Sequence, residues 1–295
     1  MNLKALIFFC CLIISATSFA QRVDSSAAAT SPHNKRLLLI ASSEVAAYTG
    51  AMIGLWNVWY SQSAHQSFRF FNDIPEWKQM DKMGHIYSAF HIAQVDSRIL
   101  QWGRLPKKKS DRIAAITSMA IMSSIEVFDG FSAAYGASVG DLAANATGNL
   151  IYLGQSLAWN EIRIYPKFSY HQTSLAPRNP AQLGSGFSEE LLKDYNGQTY
   201  WMSVDMDKFI RFPKWLNLCV GYGAQNMLNA RDSQNLAQGS KPFRQYYVGI
   251  DFDLTAFRSR SKFLNSVIYV VNMIRIPAPA LEFSDGKFRA HGLYF

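Results

Sequence analysis

Cysteine is scarce in this chain. The 295 residues contain three cysteines, and two of them, Cys10 and Cys11, lie inside an apolar run near the N-terminus. If that run is removed on export, Cys219 remains alone, and a single thiol cannot form an internal disulfide bond. We therefore expect a fold without disulfide bonds, although an extracytoplasmic compartment would permit them.

Several signatures of catalysis are also missing. The sequence contains no phosphate-binding glycine loop, no dinucleotide fingerprint and no His-Glu-x-x-His zinc motif. These absences predict no cofactor and no metal. They leave open whether the protein is an enzyme.

Charged residues are few, at 17% of the chain, but they are unbalanced and give a net charge of +8. In a cytosolic protein this excess would suggest nucleic acid as a partner. Outside the cytoplasm, a basic surface more readily meets anionic lipid headgroups or glycolipids. We expect a membrane lipid or glycolipid as partner and no nucleic acid.

The N-terminus has the layout of a secretory signal peptide. Lys4 precedes the uncharged apolar run of residues 5–14, and Ser18-Phe19-Ala20 supplies small residues before Gln21. The run is too short to span a bilayer as a helix. We predict a signal peptide over residues 1–20 and an exported, membrane-associated protein in the periplasm or outer membrane of a Gram-negative-type envelope.

Four helices are predicted after a flexible leader over residues 21–36. They cover residues 37–60, about 77–100, 113–131 and a segment ending at about 159, with Ser110-Asp111 as N-cap of the third. Ser138 and Asp141 resemble a capping box at the start of the fourth. Short connections favour an antiparallel bundle, which makes residues 37–165 a helical domain.

The second half of the chain has a different pattern. Three prolines and three glycines in residues 166–198 predict a linker. Beyond it, over residues 199–295, apolar and polar residues alternate, as strands require, and one further apolar helix is predicted over residues 263–274. The predicted fold is α+β, a four-helix membrane-associated bundle followed by a small antiparallel β region.

Charged and polar side chains on the apolar helices form three clusters. Such groups are costly in apolar surroundings unless they are paired or face water, so each cluster is a candidate site. Within each cluster the spacing of three or four residues places the side chains on one helix face. The predicted site consists of Asp81, Lys82, His85, Glu126, Asp129, Ser138, Asp141 and Asn145.

These motifs, in this order, resemble the YfiM-like family of periplasmic lipoproteins of unknown function and, more distantly, the VanZ-like membrane proteins. The resemblance rests on Asp81-Lys82-x-Gly84-His85, Glu126-x-x-Asp129 and Ser138-x-x-Asp141-x-x-x-Asn145-x-x-Gly148, and it covers about residues 70–160. It implies an envelope location and a helical core, and it brings no established reaction. The chain departs from the family pattern because Phe8-Phe9, rather than small residues, precede Cys10.

Three functions are compatible with the clusters. The first is non-catalytic, with a polar pocket in the helical bundle that binds a lipid or glycolipid headgroup. The second is a hydrolase or transferase acting on a lipid-linked envelope substrate, with His85 as general base or metal ligand beside the carboxylates. The third is a structural envelope scaffold, in which the same side chains only fix the register of the helices.

Overall fold

The computed structural model describes residues 32–61 and 63–295. The predicted signal peptide over residues 1–20 and most of the predicted leader lie outside the described residues. The last part of that leader is helical, because the first described helix begins at Pro32. Proline fits the first turn of a helix, where its missing N–H has no partner to lose.

The chain divides into two compact units. The first contains residues 88–158 and the chain up to residue 72, and the second contains residues 73–87 and 159–295. This division differs in two respects from the predicted boundary inside residues 166–198. The chain divides earlier, after residue 158, and a short segment before it belongs to the second unit.

The four predicted long helices are present. They are α1 (Pro32–Leu55, continued by a π-helical turn over Trp56–Tyr60), α2 (Met80–Trp102), α3 (Lys107–Gly130) and α4 (Val139–Trp159). The first unit contains α1, α3, α4 and the part of α2 from residue 88 onward.

Helix α3 begins at Lys107, three residues before the predicted N-cap at Ser110-Asp111. Pro106 precedes the first helical residue, and the backbone N–H of Ser110 already donates to the Pro106 carbonyl at 2.9 Å. Ser110 and Asp111 are consequently inside the helix and buried. Asp111 does not cap the backbone because its carboxylate accepts hydrogen bonds from side chains of neighbouring helices, so the N-cap prediction is wrong.

Polar contacts join the helices of the first unit. The Tyr48 hydroxyl on α1 donates to Ser124 Oγ on α3 at 2.8 Å, and Ser118 Oγ on α3 donates to the Ala89 carbonyl on α2 at 2.8 Å. The apolar core beside them is small, and its fully buried members include Ile40 and Ala114. Hydrogen bonds from buried hydroxyl groups thus join these helices, in addition to the contacts between apolar side chains.

The second unit is built on a six-stranded antiparallel sheet in which sequential strands are neighbours. The strands are β1 (Ile164–Tyr170), β2 (Gln198–Val204), β3 (Leu216–Gln225), β4 (Phe243–Phe252), β5 (Ala278–Ser284) and β6 (Lys287–Tyr294). Together with the helices, this confirms an α+β fold. The predicted linker is wrong where β1 and two short helices occupy it.

Four short helices complete the second unit. They are α5 (Pro180–Leu183), α6 (Phe187–Lys193), α7 (Asp232–Ala237) and α8 (Lys262–Val271). Helix α8 confirms the apolar helix predicted near residue 263.

The sheet is strongly curled. Thr199 Oγ1 on β2 lies 3.0 Å from the Tyr294 hydroxyl on β6, although these strands are not neighbours. The free edge of β1 is paired as well, because the Phe168 N–H donates to the Met273 carbonyl at 3.1 Å and Phe168 accepts from the Arg275 N–H at 2.8 Å. One face of the sheet is therefore enclosed and the other is convex.

The enclosed face of the sheet is unusually polar, although it also holds an apolar cluster that includes Trp201 and Tyr247. The enclosed face buries the polar side chains of Lys167, Ser203 and Asp251. The convex face carries apolar side chains of paired residues, such as Val220 on β3 opposite Val248 on β4, and these are exposed.

Candidate functional site

The structure divides the predicted site residues between the two units. Asp81, Lys82 and His85 lie on the first turns of α2 and belong to the second unit. The other five, Glu126, Asp129, Ser138, Asp141 and Asn145, belong to the first unit.

Ser138 caps helix α4, as its spacing to Asp141 predicts. The Asp141 backbone N–H donates to Ser138 Oγ at 3.0 Å. In a complete capping box the acidic side chain returns the bond to the serine N–H. Here Glu126 of α3 does this instead, because the Ser138 N–H donates to Glu126 Oε2 at 3.0 Å. Glu126 thereby fixes the end of α3 against the start of α4.

We expect no nucleophile elbow from the sequence, but residues 136–140 read Gly-Ala-Ser-Val-Gly, which has the spacing of that motif. An elbow presents its serine hydroxyl in the open, on a turn between a strand and a helix. Ser138 is buried, its oxygen accepts the cap bond, and in the described chain no named strand precedes it. We therefore assign Ser138 a capping role.

Helix α4 buries one polar stripe. Asp141, Asn145 and Gly148 are all buried, as their spacing of four and three residues predicts. The stripe continues beyond the predicted residues, because Asn149 is buried and its Nδ2 donates to the Asn145 carbonyl at 3.0 Å. Three successive turns of α4 thus direct polar or small side chains inward.

Asp129 has a different partner from Glu126, although both are on α3. The Tyr60 hydroxyl donates to Asp129 Oδ1 at 2.6 Å. Tyr60 closes the π-helical turn after α1 and packs edge-on against the ring of Tyr135. This hydrogen bond ties the end of α1 to the end of α3.

In the second unit, Lys82 lies between two carboxylates. Its Nζ is 2.8 Å from Asp81 Oδ2 and 2.6 Å from Asp73 Oδ2. The ammonium group therefore occupies the position in which two facing acids would otherwise attract a cation. Asp73 was not among the predicted site residues, because it precedes the helix and the helical spacing rules do not reach it.

Asp81 is in an environment that disfavours its charged form. Burial is the largest cause of its raised pKa, and the nearby Asp73 carboxylate adds to the shift, whereas Lys82 and His85 oppose it. Among the described residues, Asp81 Oδ1 is buried and accepts no hydrogen bond. His85 is half-buried one turn further along the same helix. This arrangement can hold a proton or an ion pair out of bulk water.

Gly84 has a clear structural role. A Cβ atom at this position would lie 2.9 Å from the hydroxyl oxygen of Tyr200 on β2. The Tyr200 ring cannot move freely, because its hydroxyl donates to Gln198 Oε1 at 2.8 Å and its ring packs on Phe168. The small residue beside the Asp81–His85 pair therefore permits the close approach of a tyrosine from β2.

Replacing Gly84 with alanine is expected to destabilise the second unit. Overpacking costs about 1–3 kcal/mol, and the better helix propensity of alanine returns up to about 1 kcal/mol. The free energy of unfolding, measured by denaturant titration, should fall by about 1 kcal/mol. In a Tyr200→Phe background the clashing hydroxyl is absent, so Gly84→Ala should cost nothing there. An equal loss in both backgrounds would contradict the contact.

Comparison with known proteins gives one match. Residues 69–153 match the model of a family described as "Predicted periplasmic lipoprotein (DUF2279)". No curated protein and no solved structure matches the chain. The match covers less than a third of the chain, but it includes every predicted site residue.

The family match bears on the predictions at a coarse level. It supports the resemblance to periplasmic lipoproteins of unknown function, and it supports an exported, periplasmic and membrane-associated location. The finer resemblance to YfiM-like and VanZ-like proteins and the outer-membrane location stay predictions.

Proposed function

We propose that the protein is a non-catalytic envelope protein whose apolar surfaces contact a membrane and whose helical unit binds the headgroup of a lipid or glycolipid. The observation that carries the proposal is the polarity of α4. Its buried face holds Asp141, Asn145 and Asn149, whereas Leu150 is 68% exposed and Leu157 is exposed as well. A helix in water normally buries its apolar face.

Helix α3 supports the same reading. Ser118 and Glu126 are buried, whereas Ile116 is 65% exposed. By length and composition, the segments Asn34–Tyr60 and Lys107–Gly130 are long and apolar enough to cross a membrane. Apolar surface left in water costs about 25 cal/mol per Å², and acyl chains remove this cost. The exposed apolar side chains of these helices therefore support the proposed contact with a membrane.

The sheet of the second unit also exposes apolar side chains. Val248 on its convex face is 62% exposed, and Leu281, the residue opposite it on β5, is exposed too. The enclosed face holds the buried ion pair of Lys167 and Asp251. Both units, each taken by itself, thus place apolar side chains where a lipid environment would cover them.

The chemistry of the buried stripe selects among headgroups. Glu126 and Asp141 are carboxylates, which accept hydrogen bonds from hydroxyl and ammonium groups and repel phosphate. Asn145 adds an amide that both donates and accepts. A sugar or an ethanolamine group fits this set better than a bare phosphate does.

The test is lipid mass spectrometry on the full chain, extracted from the envelope in mild detergent. We expect a lipid with a sugar or ethanolamine headgroup to copurify. Asn145→Leu should remove most of it, at least tenfold by molar ratio, because burying the headgroup against leucine leaves its polar atoms unpaired. Gln155→Leu is the matched control, since it replaces another buried amide of α4 that lies farther from Asp141 and should retain the lipid.

Two outcomes would reject the proposal. One is a wild-type protein that a carbonate wash releases from the membrane and that carries no bound lipid. The other is equal lipid loss in both leucine variants, which would indicate a general loss of structure and favour the scaffold function. Thermal unfolding of each variant in the same detergent separates lost binding from lost folding.

A further inference from the structure

We infer that helix α8 and the basic segment before it bind the surface of an anionic bilayer. This site lies in the second unit and contains none of the residues proposed to bind a headgroup. It therefore adds an electrostatic anchor to the proposed function.

Helix α8 presents an apolar face that nothing in its own unit covers. Phe263 is 79% exposed, and Val267 and Val270, spaced four and three residues further on, are exposed as well. This spacing places the three side chains on one side of the helix. Among the residues of α8, only Tyr269 is buried.

The C-terminal end of α8 is fixed to the sheet. Asn272, directly after the helix, accepts through Oδ1 from Lys167 Nζ at 3.1 Å and from the Leu254 N–H at 2.9 Å. The next residue, Met273, pairs through its carbonyl with Phe168 on β1. Because these bonds anchor the C-terminal end, the helix cannot turn its apolar face inward without breaking the edge pairing of β1.

A row of basic residues adjoins this face. Arg258, Arg260 and Lys262 alternate along the segment into α8, and all three side chains are exposed. Asn265 on the helix holds the segment, because its Oδ1 accepts from the Ser259 N–H at 2.8 Å and its Nδ2 donates to the Ser259 carbonyl at 2.9 Å. The positive charges are therefore kept beside the N-terminal end of the apolar face.

Charge complementarity identifies the occupant as an anionic lipid surface. An amphipathic helix with basic residues at its boundary and exposed aliphatic and aromatic side chains is typical of segments that lie in the membrane interface. Each lysine or arginine near an anionic surface contributes about 1 kcal/mol. Three such residues give up to about a hundredfold preference for anionic over neutral bilayers, since about 1.4 kcal/mol corresponds to a factor of ten.

Hydrogen–deuterium exchange of the full chain, mixed with or inserted into nanodiscs, tests this inference. We compare discs of phosphatidylcholine with discs that also contain about one third phosphatidylglycerol, and we read the amides of α8. We expect at least tenfold slower exchange in the anionic discs, and high salt should reverse this protection.

Three variants sharpen the test, and two of them form a matched pair. Replacing Arg258, Arg260 and Lys262 with serine should abolish the extra protection of α8. Replacing three other exposed basic residues of the same unit, Arg211, Lys214 and Lys241, with serine removes the same charge and should leave the protection unchanged. Replacing Phe263 and Val270 with serine should also abolish it, because the apolar contact is then missing.

Three results would overturn the inference: equal protection of α8 in neutral and anionic discs, equal effects of the two charge variants, and no protection in any disc. The last result would indicate that the apolar face receives a protein partner instead. A failure of the headgroup proposal can be told apart from a failure of this inference. The headgroup proposal is tested by the lipid that copurifies with variants of α4, whereas this inference is tested by the exchange of the α8 amides. Protection of α8 in anionic discs would stand even if no lipid copurifies with the chain.

Discussion

Replacing Lys167 with methionine is expected to lower the free energy of unfolding of the second unit by about 3–5 kcal/mol. Lys167 Nζ lies 2.7 Å from Asp251 Oδ2, and the two side chains are 1% and 0% exposed. The ammonium also donates to the Phe252 carbonyl at 2.9 Å. Without it, the Asp251 carboxylate stays buried in the enclosed face of the sheet with no cation to balance it.

The measurement is equilibrium unfolding of wild type and variants in one detergent, followed by tryptophan fluorescence. The double variant Lys167→Met with Asp251→Leu removes both charges and should recover at least half of the loss. Lys193→Met, at the more exposed pair with Glu189 on α6, should cost less than about 1 kcal/mol. A Lys167 variant as mild as that control would show that the buried pair is not essential to the sheet.

Strand β1, which carries Lys167, is difficult to predict from the sequence because of the prolines in and after it. Pro166, the neighbour of Lys167, and the later prolines of residues 166–198 are typical of a linker. Proline is nevertheless tolerated at the edge of a sheet, where its missing N–H breaks no ladder. β1 is such a strand, paired along its length with β2 and only locally with the chain near Ile274. Long-range pairing of this kind leaves no local sequence signal.

The orientation of the sheet is a second feature that the sequence does not determine. The alternation around Val248, Gly249, Ile250 and Asp251 correctly predicts a strand. The alternation does not show which side of the strand faces inward, because a period of two results whether the apolar or the polar side is buried. The usual assumption would bury the valine and expose the aspartate. The structure has the reverse, and the reason is the curl that encloses the polar face.

In the helical site, too, the sequence predicts contacts within one helix but not contacts between different elements. The sequence predicts the buried stripe of Asp141, Asn145 and Gly148, because contacts along one helix follow from its period. It also predicts that Ser138 caps α4. It does not predict that Glu126 completes this cap or that Asp73 pairs with Lys82, because those contacts join different elements. Asp111 is the most consequential example, since its local pattern suggests a cap and its actual partners come from other helices.

Replacing Asp111 with alanine is expected to destabilise the first unit by about 3 kcal/mol or more. Its Oδ1 accepts from the Ser97 hydroxyl at 2.5 Å and from the Tyr152 hydroxyl at 2.6 Å, and its Oδ2 accepts from Lys107 Nζ at 2.7 Å. The Ser156 hydroxyl on α4 donates to the same Oδ2. Each buried donor left without a partner costs about 1–3 kcal/mol. The three hydroxyl donors, on α2 and α4, are buried, whereas Lys107 on α3 is 35% exposed and can turn to water.

Ser110→Ala is the matched control for this prediction. Ser110 is the neighbouring residue on α3 and is equally buried, but its hydroxyl makes only one long hydrogen bond, 3.4 Å from the Leu105 carbonyl. Its loss should cost at most about 1 kcal/mol. Thermal unfolding of both variants in mild detergent compares them directly. Equal effects would mean that apolar packing holds α2, α3 and α4 together. A loss confined to Asp111→Ala would instead show that buried polar contacts do so, as the proposed membrane environment of these helices requires.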